Sequence, residues 1–155
     1  TGVQTCALPI CRIERSGGAN FQQHAELTSP RQKMVKSAVV MANELRAAAV
    51  LVFTMHGTMA RYTAWMRPAH SAIFAVCPDA EVALSLTLCC GVTPVVVPFD
   101  PVDPSTTLKL ALDLLVERGL LHTGQTVAIV GAVASHGQIA DAIQMRVIGK
   151  DQPEG

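Results

Sequence analysis

Ala47-Ala-Ala-Val-Leu-Val-Phe-Thr-Met-His-Gly-Thr-Met-Ala-Arg61 decides the reading of this chain. Seven apolar residues run into a turn that holds two threonines and a glycine, and an amphipathic segment follows. The pattern predicts a buried strand over Val50 to Phe53, a short turn, and a helix from Met59 to Met66 that stops before Pro68. Such a joint turns free backbone N–H groups and the positive end of a helix dipole toward one point, which suits an anion and above all a phosphate. Thr54, Gly57 and Thr58 would form that cradle. An ordinary strand-to-helix turn, with threonine capping and glycine allowing the bend, accounts for the same residues. His56 reads either as a solvated turn residue or as a ligand that helps bind anions only when protonated.

Outward from this joint, helices and strands alternate. Ser29-Pro-Arg-Gln32 is a helix start, with Ser29 as cap, Pro30 in the first turn and Gln32 completing a capping box. Met34, Ala38, Met41, Ala42 and Leu45 then fall at helical spacing, so this helix is expected to reach about Ala47. Ala72 to Val76 is a second strand. Pro78-Asp79 opens a helix with Val82, Leu86 and Cys89 inward, and Gly91 ends it. Thr93 to Val97 is a third strand. Asp103-Pro104 caps a long helix striped by Leu108, Leu112 and Leu115, ending at Gly119. Thr126 to Gly131 and Gln144 to Ile148 are the fourth and fifth strands. Only about 12 residues separate them, barely enough for a crossover helix, which points to an antiparallel or edge position for the last strand.

These elements predict an α/β fold: a three-layer α/β/α sandwich around a five-stranded, mixed, mainly parallel sheet with an antiparallel last strand. The 155 residues suit one domain, able to bury roughly 70% of its unfolded surface without a disulfide or metal. Half the residues are apolar and 15% are charged, which argues against disorder. Twelve basic residues balance twelve acidic ones, so neither a nucleic-acid nor a membrane partner is implied. The longest apolar runs fall well short of the roughly 20 residues of a membrane span. Five cysteines, an odd number with no Cys-x-x-Cys pair, fit a reducing cytoplasm. Cys77, Cys89 and Cys90 sit in apolar settings, where a thiol acts as a small hydrophobe. Scattered histidines argue against zinc.

Residues 1–18 are read as an unstructured or non-native leader, because Thr1-Gly-Val-Gln-Thr-Cys-Ala-Leu-Pro-Ile10 lacks a signal-peptide layout and resembles translated adapter sequence. Residues 19–150 form the domain, and residues 151–155 a polar tail. No acidic cluster ends the first strand, as a Mg²⁺-dependent signalling receiver requires, and no Gly-x-Gly-x-x-Gly follows it, as a Rossmann domain requires.

Several segments together carry a resemblance: Ser37-Ala-Val-Val-Met-Ala42, Leu51-Val-Phe-Thr54, Gly57-Thr-Met-Ala-Arg61, Arg67-Pro68, Ile73-Phe-Ala-Val76, Gly91-Val-Thr-Pro94, Gly119 to Ile129 and Gln144-Met-Arg-Val147. In this order and spacing, across about residues 20–148, they resemble the C-terminal domain of pyruvate kinase. The resemblance implies a regulatory and subunit-contact domain of a homotetramer that docks on a catalytic barrel. Phosphoryl transfer from phosphoenolpyruvate to ADP, with Mg²⁺ and K⁺, belongs to that barrel of about 250 residues. No catalytic residue, metal or cofactor is therefore expected in this chain. A free-standing, small-anion-binding regulatory domain of the same fold is the alternative.

The resemblance also places an effector phosphate in a loop of pattern Thr-x-Ser/Thr-Gly-x-Ser/Thr. The chain reads Thr54-Met-His-Gly-Thr-Met59, so Thr54 and Gly57 match while His56 and Met59 replace hydroxyls. The family's second effector loop is rich in glycine and carries Trp and Arg. Here it is Gly131-Ala-Val-Ala-Ser-His-Gly137, without either. Ser135, His136 and Gly137 could still complete the pocket, because carboxyl ends of parallel strands share one edge. They read equally as a flexible loop. A small monophosphate, or no effector, suits this pattern better than fructose 1,6-bisphosphate, whose second phosphate would lack charge-assisted partners. Arg61 and Arg67 could reach a ligand or be solvated, and Tyr62 and Trp65 suit a domain or subunit contact.

Overall fold

A computed structural model describes residues 26–135 and 138–149, with side chains of residues 132–139 left aside. Among the described residues, four helices and five strands follow in the order α1 (Pro30–Glu44), β1 (Ala49–Phe53), α2 (Thr58–Met66), β2 (Ala72–Cys77), α3 (Ala80–Leu86), β3 (Val92–Val96), α4 (Pro104–Glu117), β4 (Thr126–Ser135) and β5 (Gln138–Val147). The strands form one sheet in the order β3-β2-β1-β4-β5. β1 pairs in parallel with β2 and β4, β2 pairs in parallel with β3, and only β4–β5 is antiparallel. The expected sandwich and its mixed sheet are present.

Alternation along the strands sorts side chains onto two faces. Val50, Val52, Ile73, Ala75, Ala128 and Val130 face α1, α2 and α3. Ala49, Leu51, Phe74, Val76, Val127 and Ile129 face α4 through Leu108, Ala111 and Leu115. Both faces are thus covered, as a parallel sheet requires. The chain steps outward from β1 to β2 and β3, then returns through α4 to place β4 on the other side of β1. The β1–β4 seam is therefore where strand order reverses, the place at which open α/β sheets form a crevice at their carboxyl edge.

Helix starts match the sequence chemistry. Ser29 Oγ accepts the Gln32 N–H at 3.2 Å, and Gln32 Oε1 accepts the Ser29 N–H at 3.1 Å. Asp79 Oδ1 accepts the Val82 N–H at 2.8 Å and Asp103 Oδ1 the Ser105 N–H at 3.0 Å. The differences lie at the other ends. α1 stops at Glu44 rather than near Ala47, and Leu45 is 44% exposed. Its buried face is Val35, Ala38, Val39 and Ala42, one step round from the expected Met34–Met41 stripe. α3 ends at Leu86, and Thr87 to Gly91 form turns instead of helix.

The largest correction concerns the fourth and fifth strands. Gly131 to Ser135 do not form a loop: β4 continues to Ser135 and pairs with a longer β5 through Ser135↔Gln138. The pairing thus extends the expected fifth strand, Gln144 to Ile148, back to Gln138, through a stretch that shows no polar–apolar alternation. The expected leader, residues 1–18, and the expected tail, residues 151–155, lie outside the described residues. No helix among the described residues is long and apolar enough to cross a membrane.

Candidate functional site

β1 delivers the site. Its parallel pairing runs one residue past the strand, where the Thr54 N–H donates to Val76 O at 3.0 Å. Thr54 is consequently buried, at 4% exposure. The chain then has to reverse into α2 within three residues. Gly57 does this with a left-handed φ of 81° and serves as N-cap without any side-chain hydrogen bond. The expected threonine cap is absent. The first intrahelical bond runs from the Arg61 N–H to Gly57 O at 3.0 Å, so the N–H groups before it have no acceptor within the helix.

This open helix start faces a cavity of about 490 Å³ at the carboxyl edge of the β1–β4 seam. Thr54, His56 and Thr58 line it, as the sequence reading requires, while Gly57 shapes the turn behind them. No side-chain partner of the Thr54 hydroxyl exists among the described residues. None of their side-chain polar atoms is both sealed from solvent and unpartnered, so this hydroxyl opens onto the cavity. Ser135 lies in β4 with its side chain outside the described set, and His136 and Gly137 lie outside the described residues altogether. Arg61 and Arg67 are not on the described cavity wall. Arg61 reaches Ser85 Oγ at 3.5 Å, and Arg67 Nη1 donates to Cys90 Sγ at 2.9 Å. Cys90 is exposed rather than apolar-packed, as are the rings of Trp65, which sits 5.5 Å from half-buried Tyr62.

The rest of the wall was not signalled by any motif. Phe53 and Phe99 pack with ring centroids 6.0 Å apart, beside Met34, Met59, Leu108 and Ile129. Gly131 makes room for this: a Cβ there would stand 3.0 Å from Phe53 Cδ2. The loop after β3 contributes Asp100 and Pro101. That loop is tied to α4, because the Asp100 N–H donates to Thr107 Oγ1 at 2.8 Å. Asp100 Oδ1 in turn accepts the Val102 and Asp103 N–H groups at 2.8 and 2.9 Å. Arg31 from α1 and Asp141 from β5 close the remaining side, 3.7 Å apart and both well exposed. The available clue was positional: Phe99 to Pro101 follow a parallel strand at its carboxyl end, where ligand-binding loops collect.

Two ionisable groups near the edge are displaced. Hydrogen bonds from the Ser105 side chain and backbone, and from Thr106, hold the Asp103 carboxyl below its usual range. Burial, and secondarily the Asp79 charge, push the Cys77 thiol up. Its Sγ–H is directed to Asp79 O and Val95 O. Among the described residues no group of three or more His, Cys, Asp or Glu side chains could hold a metal ion.

The family model for the pyruvate kinase alpha/beta domain matches residues 32–147. The chain belongs to the pyruvate kinase alpha/beta-domain family. Pyruvate kinase 2 of Synechocystis is 30% identical over 138 residues, which is 88% of this chain and 23% of that protein. Pyruvate kinase isozyme G of Ricinus communis, named as chloroplastic, is 38% identical over 93 residues, or 60% of this chain and 22% of its own length. The chain thus spans under a quarter of the curated pyruvate kinases it matches. A Cryptosporidium parvum pyruvate kinase solved in complex with ADP superposes with a TM-score of 0.70 at 23% identity, covering 79% of this chain and 24% of that one. A second crystal structure of a pyruvate kinase from the same organism gives 0.68 at 22% identity over 79% of this chain and 23% of that one. These two support the fold.

Proposed function

We propose that this domain is the regulatory and subunit-contact part of a pyruvate kinase, the glycolytic phosphotransferase that gives pyruvate and ATP from phosphoenolpyruvate and ADP. On this reading it carries no catalytic residue and turns nothing over by itself. The Mg²⁺ and K⁺ of the reaction belong to the catalytic barrel, and the domain docks on that barrel within a cytoplasmic homotetramer. Its own binding activity is reception of a small phosphorylated effector at the β1–α2 junction.

One observation carries the effector reading. The uncapped start of α2 and the buried Thr54 hydroxyl open into the same cavity at the strand-order reversal. Uncapped N–H groups at a helix start favour a phosphate electrostatically and by hydrogen bonding. His56 and Thr58 stand at the rim, and the cavity lies within the roughly 300–1,000 Å³ typical of small-molecule sites. Ser135, His136 and Gly137 are proposed to close it from the β4–β5 side.

A free-standing regulatory domain of the same fold is the second reading. The coding sequence upstream of residue 18 separates the two. A contiguous frame encoding a barrel with a phosphoenolpyruvate site is expected. A start codon near residue 18 with no barrel upstream contradicts the enzyme-domain reading and leaves the free-standing one.

A further inference from the structure

The outer face of α2 and α3 carries large apolar side chains in solvent. Leu88 is 91% exposed, Leu84 71% and Trp65 59%. Two ties fix how these residues lie. Arg61 Nη2 stands 3.5 Å from Ser85 Oγ, and Arg67 Nη1 donates to Cys90 Sγ at 2.9 Å. Both members of each tie advance along the chain together, so α2 and the segment from α3 to Cys90 run side by side in the same direction. Trp65 and Leu88 therefore fall between the two ties, one on each element, and Leu84 adjoins the first. Charge frames this apolar centre at opposite corners. Glu81 is exposed in the first turn of α3, and Arg67 is exposed at the far end of α2, as its C-cap. A contiguous exposed apolar patch with a polar frame marks an interaction surface.

We infer that the α2–α3 face is a self-contact, which pairs with the same face of a second copy of this chain about a two-fold axis. An isologous contact needs a patch complementary to itself. A two-fold axis that crosses the Glu81–Arg67 diagonal at right angles lays each Glu81 on the partner's Arg67. Leu84, Leu88 and Trp65 then meet their counterparts at the centre. Burial of the apolar centre supplies the affinity, and the two charge pairs set orientation and register. A partner of uniformly acidic or basic charge would satisfy one corner and repel the other, which favours a second copy as the occupant. The inference names a surface for the subunit-contact reading and rests on that reading.

Sedimentation velocity across a concentration series of the 155-residue chain tests this with three variants. Leu88→Ser removes part of the apolar centre, and at 91% exposure it is expected to leave the fold intact. Arg67→Glu and Glu81→Arg each set like charges against each other, and symmetry makes each change act twice. Self-association should weaken about tenfold in each variant taken alone. An equimolar mixture of Arg67→Glu with Glu81→Arg should regain the association of the unaltered chain, because the mixed pair restores opposite charges at both corners. Circular dichroism reports the fold of all three, and Leu88→Ser carries the test if a charge reversal unfolds the chain. A chain that self-associates with equal affinity in the folded variants overturns the inference, assigns this face to another occupant such as the barrel, and leaves the subunit-contact reading standing. A mixture of the two folded charge variants that associates no better than either alone overturns the two-fold pairing. A monomeric unaltered chain overturns the inference together with the reading on which it rests.

Discussion

Gly131 and Phe53 compete for one space. A Cβ at Gly131 would sit 3.0 Å from Phe53 Cδ2 and 3.3 Å from its Cβ. Phe53 packs against Phe99 and borders the cavity, so its ring can retreat only into the cavity space. Gly131→Ala is therefore expected to cost about 1–3 kcal/mol in urea unfolding and to narrow the cavity. A variant with unchanged stability would show that the ring yields. Gly57 is constrained differently, by a left-handed φ of 81° that most side chains avoid. Cysteine chemistry separates by residue as well. The Cys77 thiol is buried, hydrogen-bonded and pushed up by burial. Peptide mapping after iodoacetamide treatment of the folded chain should find Cys90 modified and Cys77 protected until denaturant is added. Modification of Cys77 at the same rate as Cys90 would contradict the buried strand end.

Among the elements, α4 is the helix that covers its face of the sheet, with Leu115 fully buried among Leu51, Val76 and Ile129. Leu115→Ala should cost about 2–5 kcal/mol, read by chemical unfolding. The start of α4 supplies a pH dependence. Ser105 and Thr106 hydrogen bonds depress the Asp103 carboxyl in the folded state. Its contribution is therefore complete above the ordinary carboxylate range and lost as pH falls through the depressed value. Asp103→Asn, which still offers a cap oxygen, should flatten the acid limb of thermal melts; an unchanged limb would assign it to other carboxylates. The elements also mark how far the sequence could be read. Ser29, Asp79 and Asp103 fix three helix starts because caps are local chemistry, acting within three residues. The ends of α1 and α3 are less legible, since no strong local stop lies at Leu45 or Thr87. Pairing is non-local, so the full length of β4 and β5 is not legible: nothing near Gly131 reveals that Ser135 meets Gln138. The same limit governs the site. Thr54, His56 and Thr58 could be found from one contiguous joint, whereas Arg31, Asp100 and Asp141 come together only when α1, the β3–α4 loop and β5 are assembled.

For the whole molecule, the exposed apolar residues bear on assembly. Leu88 is 91% exposed, Leu84 71% and Trp65 59%, and β3 and β5 form the sheet edges. If this is a subunit-contact domain, these surfaces are covered in the parent enzyme, and the isolated chain should self-associate at micromolar concentration in sedimentation velocity. A single monomeric boundary would argue against that role. The central claim is that the open start of α2 and the buried Thr54 hydroxyl form a phosphate receptor. Calorimetric titration of inorganic phosphate into the chain and into Thr54→Val measures it most directly, because the substitution keeps the side-chain shape and removes only the hydroxyl. Saturable binding that weakens about tenfold in Thr54→Val is the predicted result. Absence of saturable binding, or equal affinity in the folded variant, would contradict the account.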